Sequence, residues 1–488
     1  MIYPEYTITF WSFDYILKIA SVKAAYPPLG LLTAAALLPG EWDIRLKDLN
    51  FEKLEDKDIQ WADYVMISAM LVQEKSVLSI LPRCRHLGTP VIAGGPLFNG
   101  MTEKYLHLVD HLILNEAEMT LPAFLADLKA GTPRKVYRSD RFPDMALSPI
   151  PRWDLLKKNA YASLMIQYSR GCPFDCEFCD ITILNGRIPR VKPADQFIKE
   201  IEFLYEMGWR GYLFVVDDNF IGNKQQLKKM LPLLIRWMAA HRYPFMLFTQ
   251  VTVNLADDDE LMELMVKAGF NFVFIGLETP NEESLEECGK SQNCRRDLVR
   301  AIQKIQAAGM HVLGGYIVGF DNDDEEIFAR QIAFIQESGV VTAMVGLLTA
   351  LPKTRLWERL KKENRLIVNS TGDNTDCSVN FIPKMGKEKL IRGYREMYRT
   401  LYSYPYFYRR LDRFLEVFRP RRIRRVQKRE IKTLLKTIFY LGILGNGASQ
   451  WYFWKTLFKV MIFHRKSFPD AITQMIYGHH FYKVAKGL

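Results

Sequence analysis

The sequence lacks several features that mark particular classes of protein. Its opening has no basic start followed by an apolar run and a small-residue cleavage site, so it predicts no secretory signal. It contains no internal repeat and no low-complexity tract. The longest apolar run near the carboxyl terminus is broken by Gly442, Gly445 and Gly447, which argues against a membrane-spanning helix. These absences predict a folded cytoplasmic protein.

Cysteine is scarce and unevenly placed. The chain has seven cysteines among 488 residues, an odd number that predicts no disulfide framework. Three of them, Cys172, Cys176 and Cys179, lie within eight positions, which is the spacing of metal ligands. The others form no second dense group, so we expect ordinary thiols rather than an auxiliary cluster: Cys84, Cys288, Cys294 and Cys377.

Composition and length predict a globular protein of several domains. Hydrophobic residues make up 49% of the chain and charged residues 25%, as in folded proteins, and the length suits two or three domains. The net charge of +11 is concentrated, because residues 406–466 contain 16 Lys and Arg against three acids, which is +13 and leaves −2 elsewhere. Such a segment indicates an anionic partner, either membrane headgroups or nucleic acid.

Three regions of different pattern predict an α/β fold with a helical carboxyl-terminal domain. Residues 1–145 alternate short apolar strands, such as 61–68, with helical patterns, which predicts a Rossmann-like, doubly wound parallel sheet. Residues 146–370 contain six strand-helix units, which fit a partial (β/α)6 barrel of the TIM type. Residues 371–488 are aromatic, basic and helical, and their apolar faces predict an interfacial helix pair.

The clustered cysteines follow the first predicted barrel strand, in the motif Ser169-Arg-Gly-Cys-Pro-Phe-Asp-Cys-Glu-Phe-Cys179. That position places the thiolates at the carboxyl end of the sheet, where barrels of this type have their active sites. Thiolates at this spacing suit zinc or an iron-sulfur cluster, but a fourth Cys or His nearby is lacking. An incomplete zinc knuckle is one interpretation. A cubane with three protein ligands is the other, and its open iron can chelate S-adenosylmethionine (SAM).

This Cys-x3-Cys-x2-Cys pattern, with the aromatic Phe178, resembles the radical SAM superfamily. The resemblance implies a [4Fe-4S] cluster on the three cysteines, and we assign no catalytic residue beyond these ligands. It also implies that strand ends further along the chain contact SAM. The matching positions are Asp217 and Asp218 for the amino group, Glu278 for the ribose, and Gly315 and Gly319 beside the adenine. Acids at strand ends are also typical helix caps, so that interpretation stays open.

A Rossmann-like domain ahead of such a barrel resembles the cobalamin-binding domains of the superfamily. The loops Ser68-Ala-Met70 and Gly94-Gly95-Pro are similar to those that meet the corrin and its nucleotide tail, where glycine allows close backbone approach. The Asp-x-His-x-x-Gly motif that supplies an axial histidine in many such domains is absent near the start. We therefore expect cobalamin without that histidine, its lower face open or covered by Trp11, Met70 or water.

Segments from Tyr26-Pro-Pro-Leu-Gly to Ala343-Met-Val-Gly resemble the cobalamin-dependent radical SAM group that includes the hopanoid C-2 methylase, and bacteriochlorophyll side-chain methylases are similar in layout. The resemblance implies a methyltransferase that uses a 5′-deoxyadenosyl radical and methylcobalamin to methylate an unactivated carbon. The expected substrate is large and lipophilic, either a hopanoid-like lipid or a bacteriochlorophyll-type tetrapyrrole. An electron donor such as flavodoxin or ferredoxin is a further expected partner.

Three alternatives stay open. A cobalamin-binding radical SAM enzyme that forms a ring or rearranges its substrate would leave no extra methylene in the product mass. An RNA-modifying methylthiotransferase would carry three further amino-terminal cysteines, whereas this chain has only Cys84 there. A membrane-surface or nucleic-acid binding protein would depend on the basic tail. We expect peripheral association of residues 405–466 with the inner membrane face and no nucleic-acid partner.

Overall fold

In the computed structural model, two parallel sheets and a helical carboxyl-terminal region account for most of the described chain. The structure describes residues 1–7, 9–10, 12–368, 370–373, 377–421 and 428–487. Within these residues, no helix combines the length and the apolar character that crossing a bilayer requires.

The first sheet contains β1 (Ile2–Tyr3), β2 (Lys47–Asp48), β3 (Val65–Ser68), β4 (Val91–Gly94), β5 (His111–Ile113) and β6 (Val136–Tyr137). Its helices are α1 (Asp14–Ala20), α2 (Leu29–Ala35), α3 (Asp56–Gln60), α4 (Glu74–His86), α5 (Pro96–Gly100), α6 (Thr102–Tyr105) and α7 (Ala117–Lys129). The strands pair in parallel in the order β2-β1-β3-β4-β5-β6. The direction of strand addition reverses between β1 and β3, and ligands of such sheets bind at this switch point.

The second sheet is an open barrel of six parallel strands. They are β7 (Ser163–Ile166), β10 (Tyr212–Val215), β11 (Met246–Val251), β12 (Phe270–Glu278), β13 (His311–Val318) and β14 (Thr342–Leu347), with β7 and β14 at the two edges. A hairpin of β8 (Ser169–Arg170) and β9 (Arg190–Val191) follows β7 and encloses α8 (Ile181–Leu184). The outer helices are α9 (Ala194–Glu206), α10 (Lys224–Ala240), α11 (Asp259–Ala268), α12 (Glu282–Glu287), α13 (Leu298–Ala308), α14 (Ile327–Ser338) and α15 (Arg355–Lys362).

Aromatic side chains fill the interior of the barrel. Phe214, Phe248 and Phe272 come from three neighbouring strands and pack with Leu313 in one buried cluster. The rings of Phe214 and Phe248 are stacked with their centroids 4.1 Å apart. The lower barrel is therefore a packed core, which leaves the carboxyl ends of the strands for a binding site.

The carboxyl-terminal region is helical. It comprises α16 (Lys387–Leu401), α17 (Tyr404–Val417), α18 (Lys428–Thr437), a π-helical segment (Ile438–Ile443), α19 (Gly447–Phe463) and α20 (Phe468–Gly487). Side-chain hydrogen bonds join α20 to the barrel. His311 on β13 contacts Asp470 and Gln474 of α20 at 2.8 Å each. Gln474 also contacts the hydroxyl of Thr342 at 3.2 Å.

The predicted fold, a Rossmann-like sheet followed by a six-stranded partial barrel and helices, is confirmed. One predicted strand, 61–68, begins four residues late, at Val65. Trp61 instead ends α3, where its ring stacks under the guanidinium of Arg45 at 3.6 Å. Periodicity cannot distinguish these two uses of an apolar residue. The domain boundaries after residues 145 and 370 stay predictions.

Candidate active site

The three clustered cysteines lie on one loop between β8 and α8, at the carboxyl end of the barrel sheet. Cys176 is buried, and Cys172 and Cys179 are half-buried. Burial raises the pKa of Cys179 to about 12, and it also raises the pKa of Cys172; the neighbouring Cys176 acts in the same direction on both. Such thiols do not ionise readily alone, and a bound metal would be needed to hold them as thiolates.

The loop offers three thiol donors, a set that zinc or an iron-sulfur cluster can use. Within the described residues, no three His, Cys, Asp or Glu side chains lie close enough to hold one metal ion. A cubane separates its ligand sulfurs more widely than one ion does, so this finding concerns ions such as zinc. A fourth cysteine, Cys288, approaches the loop with its backbone oxygen, which accepts the N–H of Glu177 at 2.8 Å. Its thiol instead faces the carbonyl oxygen of Leu285 at 3.6 Å.

Two carboxylates at the end of β10 hold the base of the cysteine loop. Asp217 accepts the N–H of Tyr168 at 2.8 Å and the hydroxyl of Ser169 at 2.6 Å, so both of its oxygens are engaged. Burial raises the pKa of Asp217 to about 7. Oδ2 of Asp218 accepts the N–H of Gly171 at 2.8 Å. Both predicted SAM contacts therefore lie beside the loop and position its backbone.

A guanidinium network holds the opposite side of the loop. Arg359 donates to both carboxylate oxygens of Glu177, at 2.7 and 3.0 Å, and to Asp321 at 2.8 Å. Arg365 also donates to Asp321, at 2.6 Å. Burial alone would raise the pKa of Asp321, but the hydrogen bonds from Arg365 and Arg359 outweigh it and lower that pKa to about 2. Charge-assisted, bidentate bonds of this kind fix the loop firmly.

Glu278, at the end of β12, forms a buried ion pair with Lys290. Their side-chain atoms are 2.6 Å apart, and Lys290 Nζ lies 5.9 Å from the ring centroid of Phe178. Burial opposes the charge on Lys290, but Glu278 outweighs it and raises the pKa of the amine. A Cβ on Gly276 would lie 2.4 Å from Glu278 Oε1 and 2.9 Å from Lys290 Nζ. Glycine at this position therefore leaves the space that the pair occupies.

The two predicted adenine-side glycines lie on and after β13, and the structure assigns each a local reason. A Cβ on Gly315 would lie 2.6 Å from the ring of Phe274 on the neighbouring strand. Gly319 has a φ of +106°, and a Cβ there would lie 2.9 Å from Leu390. Its N–H donates to Asp323 at 2.8 Å. Both glycines therefore permit close packing at the carboxyl end of the barrel.

The predicted cobalamin contacts meet at the carboxyl ends of β3 and β4. Gly95 has a φ of +93°, and a Cβ there would lie 2.6 Å from Ser68 Oγ. A Cβ on Gly94 would lie 2.8 Å from the carbonyl oxygen of Ile113. Met70 is 41% exposed. Trp11, the other residue proposed to cover cobalt, lies outside the described residues.

A cavity of about 940 Å³ separates the first sheet from the mouth of the barrel. Met70 and Pro96 line it from the first sheet, Phe214 and Gln250 from the barrel, and Asp180, directly after the last cysteine, from the loop. Most of its lining is apolar. The volume is at the upper end of the range for ligand cavities, roughly 300–1,000 Å³. The cavity thus adjoins both the cysteine loop and the switch point of the first sheet.

Sequence patterns did not single out several polar residues at this site. Lys353, after β14, lines the cavity, has a φ of +69°, and donates to the carbonyl oxygen of Asn99 at 2.7 Å. No local motif marks it, because its contact joins residues 254 positions apart. Lys290 likewise stands outside any motif. Arg170 does stand inside the cysteine motif, two positions before Cys172, and this placement was a usable signal.

Comparisons with known proteins agree with this arrangement. Residues 166–335 match the family described as the radical SAM superfamily, and residues 354–488 match a domain of unknown function (DUF4070). An uncharacterized methyltransferase of Synechocystis is 40% identical over 99% of this chain and 90% of its own. The hopanoid C-2 methylase of Rhodopseudomonas palustris is 33% identical over 98% of this chain and 92% of its own.

A solved structure supports the same fold over the full chain. OxsB, described as a cobalamin-dependent S-adenosylmethionine radical enzyme with aqua-cobalamin and S-adenosylmethionine bound, superposes with a TM-score of 0.63. It is 15% identical, and the match covers 100% of this chain and 79% of OxsB. The two relatives and the barrel match show that the chain belongs to the radical SAM superfamily, in the subgroup of the hopanoid C-2 methylase, and its fold is that of OxsB.

Proposed function

We propose that this protein is a radical SAM methyltransferase that methylates an unactivated carbon of a large lipophilic substrate. The observation that carries the proposal is the cysteine loop, which adjoins a large cavity between the barrel mouth and the switch point of the first sheet. When bound, a reduced cluster would cleave SAM to a 5′-deoxyadenosyl radical and cobalamin would supply the methyl group. The apolar lining suits a hopanoid-like lipid or a bacteriochlorophyll-type tetrapyrrole.

We propose that Cys172, Cys176 and Cys179 hold the [4Fe-4S] cluster. The chain contributes a loop that is fixed on two sides before any cofactor binds. Asp217 holds the entering backbone, and Arg359 holds the carboxylate of Glu177 inside the loop. Fixing the ligands in advance favours one cluster geometry and leaves the fourth iron site to SAM.

We propose different roles for the strand-end carboxylates. Both oxygens of Asp217 are engaged, so we assign it to positioning the loop. Oδ1 of Asp218 accepts no hydrogen bond from the described residues, and we assign it to the SAM amino group. One carboxylate oxygen of Glu278 accepts a hydrogen bond from Lys290, and we assign the other to the ribose hydroxyls. Phe178 and the glycines at 315 and 319 would border the nucleoside.

We propose that cobalamin binds at the carboxyl edge of the first sheet. Ser68 would meet the corrin and nucleotide tail, and Gly94 and Gly95 would let the backbone approach that tail closely. The fit rests on the cradle itself, because a Cβ on Gly95 would occupy the space next to Ser68 Oγ. Met70, which lines the cavity, would lie on the side of the lower face of cobalamin.

Anaerobic reconstitution with iron, sulfide and hydroxocobalamin tests this proposal. Absorption spectra report the bound groups, and release of 5′-deoxyadenosine reports SAM cleavage. Alanine at any of the three loop cysteines should abolish that release, whereas Cys294→Ala, a half-buried cysteine outside the loop, should not. Zinc in the loop, or cleavage that survives in the variants, would contradict the cluster assignment. Failure to retain cobalamin would contradict methyl transfer but leave radical chemistry intact, and product mass would separate methylation from ring formation.

We further propose that the protein associates peripherally with the inner membrane face through residues 405–466 and receives electrons from a donor such as flavodoxin or ferredoxin. The described parts of this segment are 405–421 and 428–466. Its excess of basic residues supports an anionic surface. Flotation of the full protein with phosphatidylglycerol vesicles, but not with phosphatidylcholine vesicles, is expected. Preferential binding of RNA would contradict the proposal.

A further inference from the structure

One segment of the surface carries a dense group of exposed apolar side chains. We name residues 428–463 the C-terminal hairpin; they comprise α18, the π-helical segment Ile438–Ile443, the short connection after it, and α19. Among the described residues, 11 of the 23 large hydrophobic side chains that are exposed lie on it, and isolated exposure does not explain such a concentration. They are Ile431, Leu435, Phe439, Tyr440, Ile443, Leu444, Trp451, Phe458, Met461, Ile462 and Phe463.

The charges around the C-terminal hairpin identify what would cover it. Residues 428–466 contain eight Lys and Arg and a single acid, Glu430. Lys455, for example, lies 4.7 Å from the ring centroid of the exposed Trp451. Apolar side chains next to basic ones match the boundary between acyl chains and anionic headgroups. The occupant that fits this surface is therefore an anionic lipid bilayer.

Helix α1 lies between the C-terminal hairpin and the cavity. On one side, Asp14 and Leu17 line the cavity. On the other side, Lys436 of α18 donates to the hydroxyl of Ser21 at 2.6 Å and to the carbonyl oxygen of Lys18 at 3.4 Å. A seven-residue helix therefore contacts the candidate substrate cavity on one side and the C-terminal hairpin on another.

The two residues that flank α1 both have left-handed backbone. Phe13, which precedes the helix, has a φ of +54°, and Ser21, which follows it, has a φ of +58°. Neither residue is glycine, so this backbone region is unfavourable at both positions. Hinges are a few loop or element-terminal residues that absorb a change of φ and ψ, and Phe13 and Ser21 occupy such positions at the two ends of α1.

We propose that α1 is a gate through which a lipophilic substrate passes from an anionic bilayer into the cavity, and that docking of the C-terminal hairpin opens it. The inference rests on the proposed function, because it assumes that the cavity holds the substrate. Insertion of the apolar side chains would pull α18 toward the bilayer and break the contact of Lys436 with Ser21. The substrate would then enter without crossing water.

Hydrogen exchange of the full protein tests the gate without any turnover. Phosphatidylglycerol vesicles should accelerate exchange of the α1 amides, residues 14–20, on the order of tenfold, whereas phosphatidylcholine vesicles should not. The double variant Leu435→Ser/Leu444→Ser should abolish this response. Its control, Leu147→Ser/Ile382→Ser, changes side chains that are similarly exposed elsewhere and should respond like the wild type.

A second variant examines the contact between the hairpin and the gate. Lys436→Met should accelerate exchange of α1 without vesicles, whereas Lys432→Met, an exposed lysine on the same helix, should not. If the protein floats with the vesicles but exchange of the α1 amides is unchanged, the gate is wrong and membrane association is not. Absence of flotation would overturn the gate together with membrane association, and SAM cleavage, measured separately, reports on the catalytic proposal.

Discussion

Arg170 donates a hydrogen bond to Glu118 at 2.8 Å, and this ion pair joins the strand before the cysteine loop to the start of α7 in the first sheet. The two side chains are 12% and 2% exposed. Glu116 contacts Arg170 as well, and it also accepts from Arg190 at 2.6 Å. Burial alone would raise the pKa of Glu118, but Arg170 outweighs it and lowers that pKa. The pair therefore holds the two walls of the cavity together.

Glu118→Gln should destabilise the protein strongly. The substitution leaves part of the charge of Arg170 unpaired in a buried position, and loss of one partner of such a pair costs about 3–5 kcal/mol. The free energy of unfolding in urea measures this cost. Asp154→Asn is the control, because its pair with Arg152 is exposed and such pairs contribute about 0–1 kcal/mol. Equal losses in the two variants would contradict a special role of the buried pair.

Gly276→Ala should weaken SAM binding on the order of tenfold, or about 1.4 kcal/mol. Its Cβ would lie 2.4 Å from Glu278 Oε1 and would displace the carboxylate from Lys290. Equilibrium dialysis of SAM against the reconstituted protein measures the change. Gly346→Ala is the matched control on another barrel strand, because a Cβ there meets no atom within 4 Å. Unchanged affinity in both variants would remove Glu278 from the SAM site.

Gly95→Ala should lower the amount of cobalamin that the protein retains. The added methyl group would lie 2.6 Å from Ser68 Oγ, in the proposed cradle. Gly88→Ala is the control, since Gly88 also has a positive φ, +72°, but a Cβ there meets no atom within 4 Å. Both variants should lose about 1–3 kcal/mol of stability through backbone strain. Cobalamin absorption after gel filtration should fall only in Gly95→Ala, and an equal fall in both would attribute the loss to strain.

Asp321 should make the stability of the protein depend on pH at its acid end. Its pKa is lowered from the ordinary 3.8 to about 2, so the carboxylate stabilises the fold fully above about pH 4. That contribution is lost as the pH falls from about 4 to about 2. Asp321→Asn should therefore be less stable than the wild type at pH 6, by a margin that shrinks across this window in urea unfolding. Asp324→Asn, from an exposed pair with Arg330, is the control, and a margin that does not change with pH would contradict the assignment.

Local sequence patterns were sufficient to predict the architecture, because the periods of strands and helices are local properties of the sequence. Six strand-helix units predicted the barrel, and the structure has six parallel strands in one sheet. The prediction was less accurate at Trp61, where the ring packs with Arg45 instead of starting a strand. At the candidate site, the cysteine spacing and the strand-end acids were visible in the sequence, whereas Lys290 and Lys353 were not. Lys353 contacts a residue that is distant along the chain, and Lys290 itself stands outside any motif.

The sequence by itself determined the fold class, the family and the loop that carries the three cysteines, because each depends on spacing within a few residues. Only the tertiary structure decided that both oxygens of Asp217 are engaged, whereas Oδ1 of Asp218 accepts no hydrogen bond from the described part of the chain. It also decided where the cavity lies and that α1 contacts both the cavity and the C-terminal hairpin. The physical reason is that hydrogen bonds and burial depend on distances between segments that the chain keeps far apart.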